Sequence, residues 1–148
     1  MTALETMREW LTNSPFSDHL NNFHIDYTDQ FADNSGLFPS GLTEISRTSD
    51  ILGNKTVRNQ YNFALYTRLI LSPGDDTGSM ENAEWIMDFQ EWIQEQSVLG
   101  LAPTFGDDPK EETMTASNGS IYAADDEGTA LYVIQISAQF QKHYWRTK

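Results

Sequence analysis

Three histidines and several runs of acid are the side chains in this sequence that chemistry would have to use. His19, His24 and His143 lie far apart, and none has a second ligand at the spacing a metal site needs. His24 falls on the polar side of an alternating segment, where a solvated imidazole is the simpler account. Asp75-Asp76, Asp107-Asp108 and Asp125-Asp126-Glu127 are carboxylate runs, but neighbours in a loop do not converge on one point. Glycoside hydrolysis needs two carboxylates facing each other across a cleft, and turn composition accounts for all three runs. The Asp75–Gly78 segment lacks the alternating ligands and the distal Glu of an EF-hand. No phosphate-binding glycine loop, dinucleotide fingerprint or nucleophile elbow occurs. The chain has no cysteine, which removes disulfides, thiolate nucleophiles and Cys-ligated zinc together. Asn54-Lys55-Thr56 and Asn118-Gly119-Ser120 match the glycosylation sequon, and turn composition explains both. The sequence thus predicts no catalytic residue, no metal ligand and no cofactor: a binding protein and not an enzyme.

One acid constellation is not explained by turns. Glu81, Glu84, Asp88, Glu91 and Glu95 step by 3, 4, 3 and 4, a continuous stripe down one helix face. Like charges at i, i+4 cost a few tenths of a kcal/mol each, and no Lys or Arg is interleaved to offset them. The stripe is either the solvated side of an amphipathic helix or a face that a basic partner selects.

The elements that must position these residues follow from period and punctuation. Thr2-Ala3-Leu4-Glu5 reads as a capping box. Leu4, Met7 and Leu11 form one face of the short helix behind it, which Asn13-Ser14-Pro15 stops. Phe23, Ile25 and Tyr27 alternate with polar residues, the period of a half-buried strand. Residues 42–48 are a candidate strand, with Gly53-Asn54 as the turn after it. Val57, Asn59, Tyr61, Phe63, Leu65, Thr67 and Leu69 then share one face of an unusually long strand. A two-stranded ribbon of that length projects from its sheet or needs a neighbour to cover it. Leu52, Gly53, Asn54, Lys55 and Arg58 in this ribbon are therefore candidates for reaching another subunit.

A loop over 72–78 leads to Ser79, a good N-cap, and to a helix over 80–99 that Gly100 ends. Its apolar arc is Trp85, Ile86, Phe89, Trp92 and Ile93, opposite the acid stripe. A polar stretch over 102–119 precedes a hairpin of residues 121–124 and 129–144. The order α-β-β-β-α-β-β predicts one α+β domain over residues 1–148, an antiparallel sheet with a long β-hairpin and two main helices packed on it.

The formal charge is −13, with 22 Asp plus Glu against nine Lys plus Arg. Nucleic acid is held through clustered cations that displace counterions, so this field opposes tight binding to it. The basic residues gather at the chain's end, where Lys142, His143, Arg146 and Lys148 form either a solvated tail or a contact for an acidic partner. The amphipathic, charged start lacks the apolar core of a secretory signal, and no apolar run approaches the length of a membrane span.

Residues 54–66, Asn-Lys-Thr-Val-Arg-Asn-Gln-Tyr-Asn-Phe-Ala-Leu-Tyr, follow a Gly-Asn turn. This segment resembles a strand of the small "minor capsid" or tail terminator proteins of long-tailed phages and prophages of Gram-positive bacteria. Asn82-Ala83-Glu84-Trp85 with Phe89, Trp92 and Ile93 is similar to that family's central helix. Leu101-Ala102-Pro103-Thr104-Phe105, Asp126-Glu127-Gly128-Thr129-Ala130-Leu131-Tyr132 and the final strand ending in Phe140 and Tyr144 resemble its later landmarks. The resemblance covers most of the chain from about residue 23. It implies a ring, commonly a hexamer, that caps the head-proximal end of a tail tube and needs no cofactor. The implied partners are copies of the chain, the major tail protein and a head-completion or connector protein, with DNA passing through the ring. The implied location is the host cytoplasm during assembly and then the virion tail. Two other readings stand beside it: another head–tail connector component, or an acidic module that inhibits a host protein.

Overall fold

A computed structural model of the chain describes residues 2–16, 22–25, 34–71, 74, 76–124 and 128–146. Helix α1 (Ala3–Thr12) starts at the expected capping box, in which the Thr2 hydroxyl accepts from the Glu5 N–H and the Glu5 carboxylate accepts from the Thr2 N–H. Strands β1 (Asn22–Ile25), β2 (Asn34–Ser49) and β3 (Lys55–Ile70) follow, then helix α2 (Asp76–Val98), β4 (Thr113–Ala124) and β5 (Thr129–Tyr144). The five strands form one sheet in the order β1-β2-β3-β5-β4. The chain is an α+β protein in the order its periodicity predicts.

Three details differ from that reading, and a fourth lies beyond the described residues. Strand β1 pairs with β2 in parallel, from Asn22 opposite Asn34 to Ile25 opposite Leu37, while the other pairs are antiparallel. Alternation reports which face a strand buries and carries no information on its direction. The polar residues 113–118 are not part of a loop but the first half of β4. Only Met114 and Ala116 alternate with polar neighbours here, and register shifts after Ser117 and Ile121 interrupt that period. Helix α2 begins at Asp76 and not after Ser79, with Asp76 in the first turn where the helix dipole favours a carboxylate. The predicted strand residue Tyr27 lies outside the described residues.

The end of α2 is as expected. Gly100 takes a φ of +71°, and the N–H groups of Leu101 and Gly100 donate to the carbonyls of Gln96 and Ser97 at 2.8 and 3.2 Å. This double closure is a Schellman motif, which needs a residue that tolerates the left-handed conformation.

Both helices pack on one face of the sheet. Met7 and Leu11 of α1 and Ile86, Phe89 and Ile93 of α2 join Leu37, Phe63, Leu65, Leu69, Ile134 and Ile136 in one buried core. Trp10 stacks on Trp92 with ring centroids 4.9 Å apart, and Phe16 meets Phe89 edge-on at 5.4 Å, which fastens α1 to α2. The other face carries Arg58, Gln60, Asn62, Ala64, Tyr66 and Arg68 of β3. Its middle is a ladder of amides: Gln139 donates to Gln60, Gln60 and Ser137 to Asn62, and Asn62 to Thr43.

The long ribbon is three-stranded. Strand β3 pairs with β2 from Asn34 opposite Arg68 out to Ser49 opposite Lys55, and with β5 from Ile70 opposite Thr129 out to Lys55 opposite Tyr144. The core cluster stops near the row of Tyr61 and Ala138, so the outer rows extend past the helices as a blade. The segment between α2 and β4 straps the blade to the rest of the fold. Phe105 packs edge-on against Tyr61 at 5.4 Å, and the N–H of Asp107 donates to the Gln141 carbonyl at 2.8 Å. A Cβ on Gly106 would sit 2.3 Å from that same carbonyl oxygen, so only glycine admits this approach.

Two substitutions test the packing. Leu65→Ala should cost about 2–5 kcal/mol, as a fully buried leucine in a core does. Gly106→Ala should cost about 1–3 kcal/mol because backbone, not a movable side chain, must give way. Exposed Thr104→Ala, on the same strap, should stay within about 0.5 kcal/mol of the parent in chemical denaturation.

Candidate functional site

The five stripe residues Glu81, Glu84, Asp88, Glu91 and Glu95 are all exposed on α2, opposite the buried Ile86, Phe89 and Ile93. Helix α2 contains no Lys or Arg, and none of the five carboxylates has a cationic partner among the described residues. The stripe is therefore continuous in space as well as in sequence.

The hairpin tip is built by one carboxylate. The Oδ1 atom of Asp50 accepts from the Leu52 and Asn54 N–H groups at 2.9 and 3.0 Å, and its Oδ2 accepts from the Asn54 side-chain amide at 3.1 Å. Gly53 turns the chain with a φ of +87°, leaving Ile51 fully exposed and Leu52 mostly so. Partial desolvation disfavours the charged form of Asp50. The donors from Asn54, Leu52 and Gly53 outweigh it and hold this carboxyl below its ordinary value.

Two groups of candidates that the sequence keeps apart meet at this tip. The N–H of Arg146 donates to the Asn54 side chain at 2.7 Å, and its side chain packs so closely on Gly53 that a Cβ there would lie 2.9 Å from Cδ of the arginine. Lys142 stands in β5 opposite Val57, and Lys55 stands opposite Tyr144. His143 is held on three sides. Its N–H donates to Asp107, its Nε2 lies 2.7 Å from Asp108, and its Nδ1 lies 3.0 Å from the Thr56 hydroxyl. Lys142 and His143 thus lie in β5, and Arg146, two residues past its end, is held to the hairpin tip; Lys148 lies outside the described residues. Arg58 is no part of the tip. It lies on the open face, donating to Gln139 at 3.0 Å and reaching the Glu111 carbonyl.

Sequence reasoning treated Asp107-Asp108 as turn filler, but these carboxylates pin the strap to His143 across more than thirty intervening residues. No local signal announces such a pairing. It also left Arg47 unremarked. That residue pairs with Glu44 at 2.6 Å, and the hydrogen bond and charge of Glu44 raise its pKa.

Concavities mark the described surface. One of about 560 Å³ lies between the helices and is lined by Glu9, Trp10, Asn13, Trp92 and Gln96. A second, of about 490 Å³, lies between α2 and β4 and is lined by Met87, Glu91, Gln94 and Met114. A third, of about 440 Å³, is on the helix-side face of the blade between Leu42, Arg47, Lys55 and Tyr144. Among the described residues no three His, Asp or Glu side chains gather as a metal would need, and no helix is long and apolar enough to cross a membrane. What the described residues assemble is an acidic face on α2 and a group of cations at the end of the blade. No protein-family model matches the chain, and a search of curated proteins finds no match either.

The Asp50 turn makes a pH prediction. A carboxyl whose folded pKa is depressed contributes stability that is present above the unfolded value, about 3.9, and lost as pH falls through the lower folded value. The Leu52 and Asn54 amide signals should therefore shift together in acid, below the ordinary range of Asp. In Asp50→Asn that step should vanish from the nuclear magnetic resonance titration.

Proposed function

We propose that this chain is a structural virion protein that caps the head-proximal end of a phage tail tube. In this reading it ends tube polymerisation and presents the surface to which the head joins. The observation that carries it is the blade. Three paired strands run past the helical layer, braced by a strap, with cations at their outer end. A cap that works by surface complementarity needs such a stiff extension to engage a neighbour or the tube. The segments whose residues resemble the tail terminator family form this same skeleton: residues 54–66 are the blade's central strand, 82–93 are in α2, and 101–105 open the strap.

The reading has a homo-oligomeric ring, a hexamer on the tail, as the working state. A heterologous contact that closes after a fixed rotation is the natural way to build it. The major tail protein would meet one side of the ring and a head-completion protein the other. An acid-lined bore would let DNA pass without holding it, since like charge repels the phosphates. A head–tail connector is the neighbouring assignment in the same class.

The exposed, uncompensated stripe on α2 favours one reading outside that class, an acidic inhibitor of a basic host protein. Such a module would act as a monomer or dimer and would leave tails untouched. Phage particles made without this protein decide between them. The cap predicts overlong, headless tails under the electron microscope, and tails of normal length with heads attached would exclude it. Glu84→Lys with Glu91→Lys should then disturb tail length or DNA passage if the stripe faces bore or tube. Normal values for both would remove the stripe from bore and tube.

A further inference from the structure

The two charged surfaces of this chain also carry exposed apolar side chains, and the two sets match. On α2, Met80, Glu84, Met87, Glu91, Gln94 and Val98 step by 4, 3, 4, 3 and 4 along one row. Met80, Met87 and Val98 are 63, 66 and 78% exposed, so the acid stripe is bordered by an apolar ridge that nothing described in the fold covers. A merely solvated helix face has no use for three bare apolar side chains in one row, which marks a surface that packs on something.

The blade offers the complement. Arg47, Val57 and Lys142 lie in one row across its three strands, and Ser49, Lys55 and Tyr144 form the next. Both rows are on the helix-side face, beyond the reach of the helices. Leu42 and Tyr144 are more than half exposed there, around the 440 Å³ concavity, and among the described residues Glu44, paired with Arg47, is the acid lining it. An apolar floor edged by three cations fits an apolar ridge edged by acid.

We infer that the blade of one copy receives α2 of a second copy, with Met80, Met87 and Val98 on the Leu42–Tyr144 floor and Glu84 and Glu91 against Lys55, Lys142 and Arg47. Both surfaces are on every chain and neither is its own complement, so the contact is head-to-tail and propagates to a third copy. It deepens the self-assembly within the proposed function and supplies the residues for it. The charges set register and encounter rate, while the buried methionines and tyrosine supply the contact area.

The absence of cysteine makes a clean test, since single exposed substitutions introduce the only thiols. Lys55→Cys and Met87→Cys, each alone under mild oxidation, should remain uncrosslinked, and their equimolar mixture should give a disulfide-linked heterodimer. The double variant should give a ladder or a closed ring on a denaturing, non-reducing gel. Glu84→Lys/Glu91→Lys should weaken association about tenfold in light scattering at low salt, as should Lys55→Glu/Lys142→Glu. Mixing the two reversed variants should restore it. No heterodimer from the mixture, or equal homodimers from either single variant, would overturn the contact. Failure of the two reversed variants to rescue each other would do the same. The tail-length assay is independent of this one: normal tails without the protein would remove the cap and leave the head-to-tail contact in place.

Discussion

The pairing of β3 with β5 is the constraint on which the rest depends. It is antiparallel, unbroken from Ile70 opposite Thr129 to Lys55 opposite Tyr144, and it occupies the centre of the sheet. Both neighbouring pairings contain register shifts, whereas this one contains none. One face of the pair buries Leu65, Leu69, Ile134 and Ile136 under the helices, so a slip by one residue would turn that whole set to the solvent side. Register is therefore fixed by the core at one end of the strands, and that fixed register places Lys55, Lys142 and Arg146 at the other.

The edges show how such a sheet stays free of unwanted partners. Beyond Leu37 the outer edge of β2 has no strand partner among the described residues, and it is interrupted by two bulges, by Pro39 and by the Glu44–Arg47 pair. These are the devices that blunt an edge against indiscriminate strand addition. Strand β4, at the opposite edge, relies on its own two register shifts and on Asn118 in the left-handed conformation. With both edges blunted, side-chain surfaces become the natural places for contact.

Much of this was legible in the sequence, for reasons that differ from element to element. The alternation over residues 57–69 was plain because one face of β3 is buried along most of its length. Helix α1 was bounded by its capping box, and α2 by its apolar arc and Gly100. The acid stripe was visible because helical period alone places it. Strand β4 was half missed, since Met114 and Ala116 alternate with polar residues for only a few positions before the register shift after Ser117 breaks the period. The third strand of the blade was beyond the reach of local pattern, because β3 and β5 are separated by α2 and β4. For the same reason the sequence could describe a hairpin and a basic end but not that Arg146 rests on Gly53. The pinning of His143 by the strap is likewise a tertiary fact, carried by residues that read as ordinary turn formers.

The strap gives the blade a mechanical character. The ladder hydrogen bonds between β3 and β5 lie across the strands, so a pull along the blade loads the whole set in shear at once. Bending is resisted differently, by Phe105 wedged beside Tyr61 and Phe140 and by Asp107 tied to Gln141 and His143. The strap continues directly from the C-terminus of α2, which is itself clamped by the Gly100 closure. The blade and the acid helix face are thus joined through one short connection, tied at both ends.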